Sequence, residues 1–175
     1  YDTRGLFRWL SKYCAERPDL ADRIAAEPPL QVVPGGKKSF AEAFVLETLR
    51  MDQSERLIRK TSRDIVFDGY LIPKDSVIRI CLWESHRSPE YFADPFRFDP
   101  DRFLRTEFTA DQFAPFGLDQ HQCPFGGMVM HTALTFVRAL AEGYRVAALN
   151  DGEPIRGPYV WEPAKEFSVR LHPRE

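Results

Sequence analysis

A single cysteine in a turn-rich, aromatic loop is the residue of this sequence best placed to do chemistry. Cys123 is followed directly by Pro124, and an apolar pattern with helical spacing then covers residues 128–141 without Pro or Gly. Because proline is tolerated as the first residue of a helix, the spacing predicts that Pro124 opens a helix and that Cys123 caps it. The positive field of a helix N-terminus favours a thiolate, the form of cysteine that binds metals. From these residues alone, a structural cysteine that only precedes a helix stays open.

The residues around Cys123 form a motif. Phe116 lies seven residues before the cysteine, His121 lies two before it, and Pro124 comes next. This loop resembles the haem-binding cysteine loop of the cytochrome P-450 family. The resemblance implies that Cys123 is the axial ligand of the iron in haem b (iron protoporphyrin IX). It also implies that Phe116 packs beside the sulfur and that His121 contacts a haem propionate.

Two positions of the loop depart from the family pattern. Asp119 stands four residues before Cys123, where the family usually has glycine, and Phe125 stands two after it, where a small residue is usual. Phe125 would pack on the proximal side of the haem, but it could also crowd the loop. An aspartate near the sulfur would disfavour a thiolate by like-charge repulsion. These departures support an alternative of another class, a non-catalytic partner subunit that keeps the fold and has altered or lost the haem.

Glu47 and Arg50 form a second candidate group on a helix predicted over residues 39–51. Side chains three residues apart share a helix face, and most such pairs are solvated ion pairs that contribute roughly a few tenths of a kcal/mol. In the cytochrome P-450 family, however, a Glu-x-x-Arg pair joins another arginine in a buried network behind the haem. The resemblance assigns that partner to Arg102, in the Pro-x-Arg-Phe phrase at residues 100–103. It implies that the three side chains are a structural brace for the cysteine loop.

Short β-strands are predicted between these motifs. Residues 65–67 and 70–72 flank an Asp-Gly turn, and an apolar run covers residues 77–83. The phrases at residues 69–74, 86–89 and 92–95 resemble those that follow the Glu-x-x-Arg helix in the family. By the same resemblance Arg59 reaches a haem propionate, and the alternative is a surface arginine at a strand edge. Residues 94–115 are too long for an ordinary connection and match the irregular meander that precedes the cysteine in the family.

The rest of the pattern is mainly helical. Apolar residues recur at helical spacing over residues 6–14, and a second helix is predicted to begin at Pro18. Residues 144–148 alternate as a strand, and residues 154–161 with 167–171 predict a terminal hairpin. We therefore expect an α+β fold, mainly α, of the cytochrome P-450 type. Its elements would be the end of the central helix, the Glu-x-x-Arg helix, a small β-sheet, the meander, the cysteine loop with its following helix, and a terminal β-hairpin.

Composition narrows the possible partners. At 175 residues and 43% hydrophobic content, the chain can bury one good core. A net charge of −2 argues against a nucleic-acid partner, and no apolar run is long enough for a membrane span. Three widely spaced cysteines argue against a disulfide framework or a zinc site. A reducing compartment fits best, and we predict a cytoplasmic location.

The resemblance also bears on domain organisation. It implies that residues 1–175 are the C-terminal haem-binding part of one P-450-like domain, whose N-terminal part is absent from this chain. The family's central helix carries an acid–alcohol pair that handles protons during oxygen activation, and Asp2 and Thr3 take that place here; the alternative is two frayed polar residues. We expect a companion chain or a longer parent polypeptide to cover the apolar faces of residues 6–14 and 77–83, which would otherwise lie open.

By resemblance, the function is haem-thiolate monooxygenation, in which one oxygen atom from O₂ is inserted into a small organic substrate. Electrons would come from an external donor, a ferredoxin or a flavin reductase, docking near the cysteine loop. A haem-thiolate peroxygenase, or an isomerase or dehydratase, stays open, and the polar residues 52–56 weakly favour it. The sequence identifies no particular substrate.

Overall fold

The computed structural model describes residues 3–28, 37–52, 56–157 and 160–174. Its helices and strands alternate in short runs around a helical core. In chain order they are α1 (Thr3–Glu16), α2 (Pro18–Ala25), α3 (Phe40–Met51), β1 (Arg56–Lys60), β2 (Ile65–Phe67), β3 (Tyr70–Ile72), β4 (Val77–Cys81), α4 (Leu82–Ser85), α5 (Arg102–Arg105), a 3₁₀ turn (Asp119–His121), α6 (Gly126–Gly143), β5 (Tyr144–Asn150), β6 (Ile155–Arg156), β7 (Trp161–Glu162) and β8 (Ser168–Pro173). This mixture of helices and small sheets is an α+β arrangement.

The core lies where α1, α2 and α3 pack against α6. Apolar side chains of α1 recur at helical spacing on one face, and that face is buried against α6 and β5. The expectation that this face would lie open in the chain is therefore wrong. The sequence pattern identifies the apolar face, but it does not say that a helix more than a hundred residues later would cover it.

The starts of α2 and α3 follow the local signals of the sequence. α2 begins at Pro18, as predicted, where the missing N–H of proline costs nothing. α3 is capped by Ser39, whose hydroxyl accepts from the N–H of Glu42 at 3.0 Å. These signals place Glu47 and Arg50 in the last turns of a buried helix.

The strands form four separate antiparallel pairs, β1–β4, β2–β3, β5–β8 and β6–β7, within the described residues. Between β2 and β3, Asp68 and Gly69 both have positive φ, at 47° and 78°, which is the two-residue hairpin turn that the sequence predicts. β4 ends at Cys81, so the strand predicted over residues 77–83 is two residues too long. The chain turns there into α4, whose Leu82 carbonyl accepts from the N–H of His86 at 2.8 Å. Val77 and Ile80 on β4 are exposed, as expected for that run.

The predicted terminal hairpin is wrong in its pairing. Residues 154–161 supply only the short β6–β7 pair, while β8 pairs with β5 in the register Tyr144 to Pro173. The alternation of apolar and polar residues identifies each strand. Which strands pair depends on where the end of α6 places β5 relative to β8.

Every helix in the described ranges is too short or too polar to span a membrane.

The start of α6 also differs from the prediction. The helix begins at Gly126 with Phe125 as its N-cap, so Cys123 is not the capping residue and Pro124 is not the first helical one. The loop instead extends to Cys123, whose N–H donates to the Phe116 carbonyl at 2.7 Å. A turn then follows, in which the N–H of Gly126 donates to the Cys123 carbonyl at 3.1 Å.

Candidate functional site

The loop that carries Cys123 is closed by backbone hydrogen bonds. The N–H of Gly117 donates to the Ala114 carbonyl at 3.0 Å, that of His121 donates to Leu118 at 3.0 Å, and that of Cys123 donates to Phe116 at 2.7 Å. Cys123 itself is exposed and forms no disulfide. The loop therefore folds back on itself and presents one free thiol at its end.

Two residues of the loop adopt the left-handed conformation. Gly117 has φ of 80°, and a Cβ added there would lie 3.0 Å from the His121 carbonyl oxygen, so glycine is required by both conformation and space. Asp119 has φ of 50°, and it stands where the family usually has glycine. Aspartate is one of the few residues that adopts this conformation readily. The substitution therefore keeps the backbone that the position needs.

Large apolar side chains flank Cys123 in the sequence, and one of them packs against the start of α6. The position of an added Cβ on Gly126 is 3.1 Å from the Phe116 ring, so glycine at the start of α6 allows this ring to pack against the helix. Phe125 is 60% exposed and Met128 is 59% exposed. Large, exposed apolar groups this close to the cysteine in the chain suit the flat, apolar face of a porphyrin.

The donor set also fits a haem iron. Among the described residues no group of three or more His, Cys, Asp or Glu could hold a metal ion. A site with one protein sulfur suits a metal whose other ligands come from a macrocycle, because a thiolate is a suitable axial ligand for haem iron. The residues present therefore fit a haem, with Cys123 as the side chain that would ligate its iron.

Glu47, Arg50 and Arg102 meet in a buried network behind the loop. The Glu47 carboxylate is 0% exposed and accepts from Arg50 through Nε at 2.7 Å and Nη2 at 2.8 Å. Arg102 Nε donates to the same carboxylate at 3.1 Å, and the N–H of Asp99 donates to it at 2.8 Å. Two guanidiniums thus share one carboxylate in a fixed geometry.

The two arginines of this network also bind main-chain carbonyls of the irregular segment that covers residues 86–97. Arg50 Nη1 donates to the carbonyls of His86 and Pro95, each at 2.8 Å. Arg102 Nη1 donates to the Ala93 carbonyl at 2.8 Å. Buried carbonyls need donors, and the guanidiniums supply them here. The network therefore fixes the path of the chain that leads to the cysteine loop.

His86 links that segment to the loop itself. Its side chain is 1% exposed, and its Nε2 accepts from the N–H of Ala114 at 3.0 Å. The ring packs against Phe113, with 4.9 Å between ring centroids. Burial, together with the nearby charges of Arg50 and Arg87, lowers the pKa of His86 to about 3. The imidazole is therefore neutral at physiological pH, and the proton it keeps is on Nδ1.

A second buried polar cluster joins α1 to the end of α3. The hydroxyl of Tyr13 donates to the carboxylate of Asp52, and Arg87 lies 4.0 Å from the same carboxylate. Burial raises the pKa of Asp52 to about 6, although the bond from Tyr13 and the Arg87 charge oppose the rise. Burial is also the main cause of the raised pKa of Tyr13. The Arg87 guanidinium stacks over the Trp83 ring at 3.8 Å.

The structure also places two predicted site residues outside the loop segment, Arg59 and Thr3. Arg59 is half-buried on β1, where its Nη1 donates to the neighbouring Ile58 carbonyl at 2.9 Å. Thr3 is the first residue of α1 and lines an open cleft of about 440 Å³ between α1 and the Phe167–Val169 segment. That lining does not include Cys123. Asp2 lies outside the described residues, as do positions 53–55 of the polar segment.

The sequence analysis missed the roles of His86 and Asp52. His86 stands within a phrase that matches the family, but nothing in the sequence says that its ring reaches a residue 28 positions later. Asp52 follows an apolar helix and reads as an ordinary polar C-cap. The only signal in the sequence for a role of His86 was weak, namely its place before Arg87 and shortly before Pro89. Only the fold shows that these side chains are buried.

Comparison with known proteins accounts for this arrangement. The family described as Cytochrome P450 matches residues 14–156. Cytochrome P450 family 716 subfamily AD polypeptide 4 of Melia azedarach is 30% identical, over 94% of this chain and 37% of its own length. Abscisic acid 8'-hydroxylase 2 of Arabidopsis thaliana is 29% identical, over 98% of this chain and 38% of its own length. The chain thus spans less than two fifths of the length of these relatives. With most of its residues matched, the cysteine loop and the helices that support it included, the chain belongs to the cytochrome P450 family.

Proposed function

We propose that this chain is the haem-binding part of a haem-thiolate monooxygenase, with Cys123 as the axial ligand of the iron in haem b. One observation carries the proposal. A free, exposed thiol stands at the end of a loop closed by its own backbone, and the chain that leads to this loop is held by a buried network of one carboxylate and two guanidiniums. Such a loop holds the sulfur at a defined position, which an iron ligand requires.

Each neighbouring residue has a physical task in this proposal. The apolar rings of Phe116 and Phe125 limit water around the sulfur and offer a dry surface to the porphyrin. His121 and Arg59 supply hydrogen-bond donors for the haem propionates. When bound, the haem supplies the oxygen activation, since thiolate ligation raises the electron density on iron. The protein fixes the position of the sulfur, sets the polarity around it and limits the access of water.

Proton handling is assigned to Asp2 and Thr3, of which Thr3 is the first residue of α1. Thr3 is half-buried and opens the helix whose apolar face forms much of the core. A hydroxyl at such a rigid position can hold a water or pass a proton at a fixed atom. Thr3 and Asp2 lie at the end of the chain where we propose that further polypeptide contributes the opposite wall of the haem pocket.

We propose that residues 1–175 are one part of a larger haem-binding domain. The exposed Phe125, Met128 and Val77 support this, because apolar side chains this open usually face another molecule or segment. The proposed substrate is a small organic molecule, and the electron donor is an external ferredoxin or flavin reductase that docks near Cys123. A cytoplasmic location for this chain likewise remains a prediction.

The alternative of a haem-less partner subunit depends on Asp119 and Phe125. Asp119 is exposed and keeps the left-handed backbone that the loop requires. Phe125 is directed towards solvent, at 60% exposure, and so does not fill the interior of the loop. Both departures are compatible with a thiolate-bound haem, and the enzyme proposal is the better supported of the two.

The test is the spectrum of the reduced, haem-loaded protein with CO. The wild type and Cys81→Ser, which removes a half-buried cysteine elsewhere, should show the long-wavelength Soret band of thiolate ligation. Cys123→Ser should lose it. A wild-type spectrum without that band would refute Cys123 as the iron ligand. Substrate-dependent O₂ consumption with a reductant, against turnover with peroxide alone, then separates monooxygenase from peroxygenase.

A further inference from the structure

His86 is the one described residue whose main chain binds the buried arginine network and whose side chain binds the start of the cysteine loop. Its carbonyl accepts from Arg50 Nη1 at 2.8 Å. Its Nε2 accepts from the N–H of Ala114 at 3.0 Å. The two bonds connect α3 to the loop through a single residue that is 1% exposed.

The imidazole accepts a hydrogen bond from a backbone group that the loop does not satisfy itself. Ala114 begins the turn in which its own carbonyl accepts from the N–H of Gly117. A buried N–H needs an acceptor, and its loss costs the full desolvation of that group. The acceptor nitrogen must be unprotonated, and burial beside Arg50 and Arg87 ensures this by lowering the pKa of His86 to about 3.

From Ala114 the constraint passes along the loop by contacts on its backbone. The turn from Ala114 to Gly117 sets the position of the Phe116 carbonyl. That carbonyl accepts from the N–H of Cys123 at 2.7 Å. A shift at Ala114 therefore moves the residue that carries the thiol, because these backbone hydrogen bonds join the start of the loop to Cys123.

We propose that His86 is a positioning residue that sets the orientation of the Cys123 sulfur by fixing the start of the loop to the arginine network. This inference rests on the proposed function, since the orientation matters only when the sulfur binds iron. His86 does not touch the haem in this proposal. It acts through Ala114 and the turn that follows it.

Three variants of the haem-loaded protein test this. His86→Gln keeps an acceptor that can reach the Ala114 amide, whereas His86→Leu keeps apolar volume without an acceptor. Leu20→Ala, a buried change on α2, is the control for general loss of stability. The measurements are the reduced CO spectrum and the hydrogen exchange of peptides covering residues 113–123.

His86→Leu should convert a large part of the thiolate Soret band to the shorter-wavelength form, and exchange over residues 113–123 should quicken about tenfold or more. His86→Gln should restore most of both signals, and Leu20→Ala should leave both unchanged in the folded fraction. If His86→Leu keeps the full thiolate band and the wild-type exchange, the proposal is wrong. If the wild type itself lacks the thiolate band, the proposed function fails instead. A loss of the band in Leu20→Ala equal to that in His86→Leu would also overturn a positioning role.

Discussion

Replacing Glu47 with glutamine tests whether the buried network stabilises the fold. The change keeps the volume of the side chain, so it creates no cavity. It removes the negative charge and one of the two acceptor oxygens. Arg50 and Arg102 would then face each other with no carboxylate between them, in a place that water does not reach.

The contacts of Glu47 indicate how much stability this substitution should remove. Four donors converge on the carboxylate at 2.7–3.1 Å, and three of them come from guanidiniums. Breaking a buried pair from one side costs about 3–5 kcal/mol, because the remaining charge stays desolvated. The same chemistry at the surface is far weaker. Arg17 and Asp19 pair at 2.9 Å with side-chain exposures of 38% and 61%, and such a pair contributes about 0–1 kcal/mol.

Urea unfolding of the haem-loaded protein compares these sites directly. Glu47→Gln should lower the midpoint by about 2 M, given a typical dependence of about 2 kcal/mol per M, and haem should be released in the same transition. Asp19→Asn, the matched loss of one carboxylate charge, should shift the midpoint by less than a quarter of that. If the two variants unfold at the same urea concentration, the buried network contributes no more to the free energy of unfolding than a surface ion pair does. Burial would then not strengthen these interactions.

Two further predictions concern single aspartates. Burial raises the pKa of Asp52 from its ordinary 3.8 to about 6, so the folded protein holds this proton more tightly than the unfolded chain does. The resulting contribution to the free energy of unfolding, about 3 kcal/mol, is fully present below about pH 4 and is lost as the pH rises through 6. Asp52→Asn should remove this dependence in urea melts at pH 4 and pH 7, and identical pH slopes in both proteins would contradict it. At Asp119, where φ is 50°, replacement by glycine should keep or slightly raise stability and replacement by alanine should cost about 1 kcal/mol. Equal urea midpoints for these two variants would show that the left-handed backbone does not constrain the position.

Local signals in the sequence predict the helices well. Pro18 and Ser39 start α2 and α3 because a missing N–H and a capping hydroxyl act within one turn of chain. The Asp68–Gly69 turn is equally local. Local signals could not predict that β8 pairs with β5, because this pairing depends on where the end of α6 places β5. The start of α6 was also mispredicted, because a turn at Pro124 and Phe125 precedes the helix.

Some residues of the candidate site could be predicted from the sequence, and others only from the fold. Cys123, Glu47 and Arg50 stand out because their types and spacing carry a motif, and the partner Arg102 follows from a second phrase. His86 does not stand out, because its importance lies in a contact with a residue 28 positions later. A motif identifies residues that share one stretch of chain. Contacts between an irregular meander and a loop become visible only when both are folded.

The neutrality of His86 follows from its burial and is required by the hydrogen bond that its Nε2 accepts. Burial and the charges of Arg50 and Arg87 all lower its pKa, so a protonated imidazole would add a third cation to a buried region. The same protonation would convert the acceptor nitrogen into a donor and break the bond to Ala114. Asp52, by contrast, has a pKa near 6 and lies between α1 and α3, away from the loop hydrogen bonds. A pH change near 6 therefore alters the charge at the contact between Asp52 and Tyr13, while the His86 imidazole stays neutral and keeps its bond to Ala114.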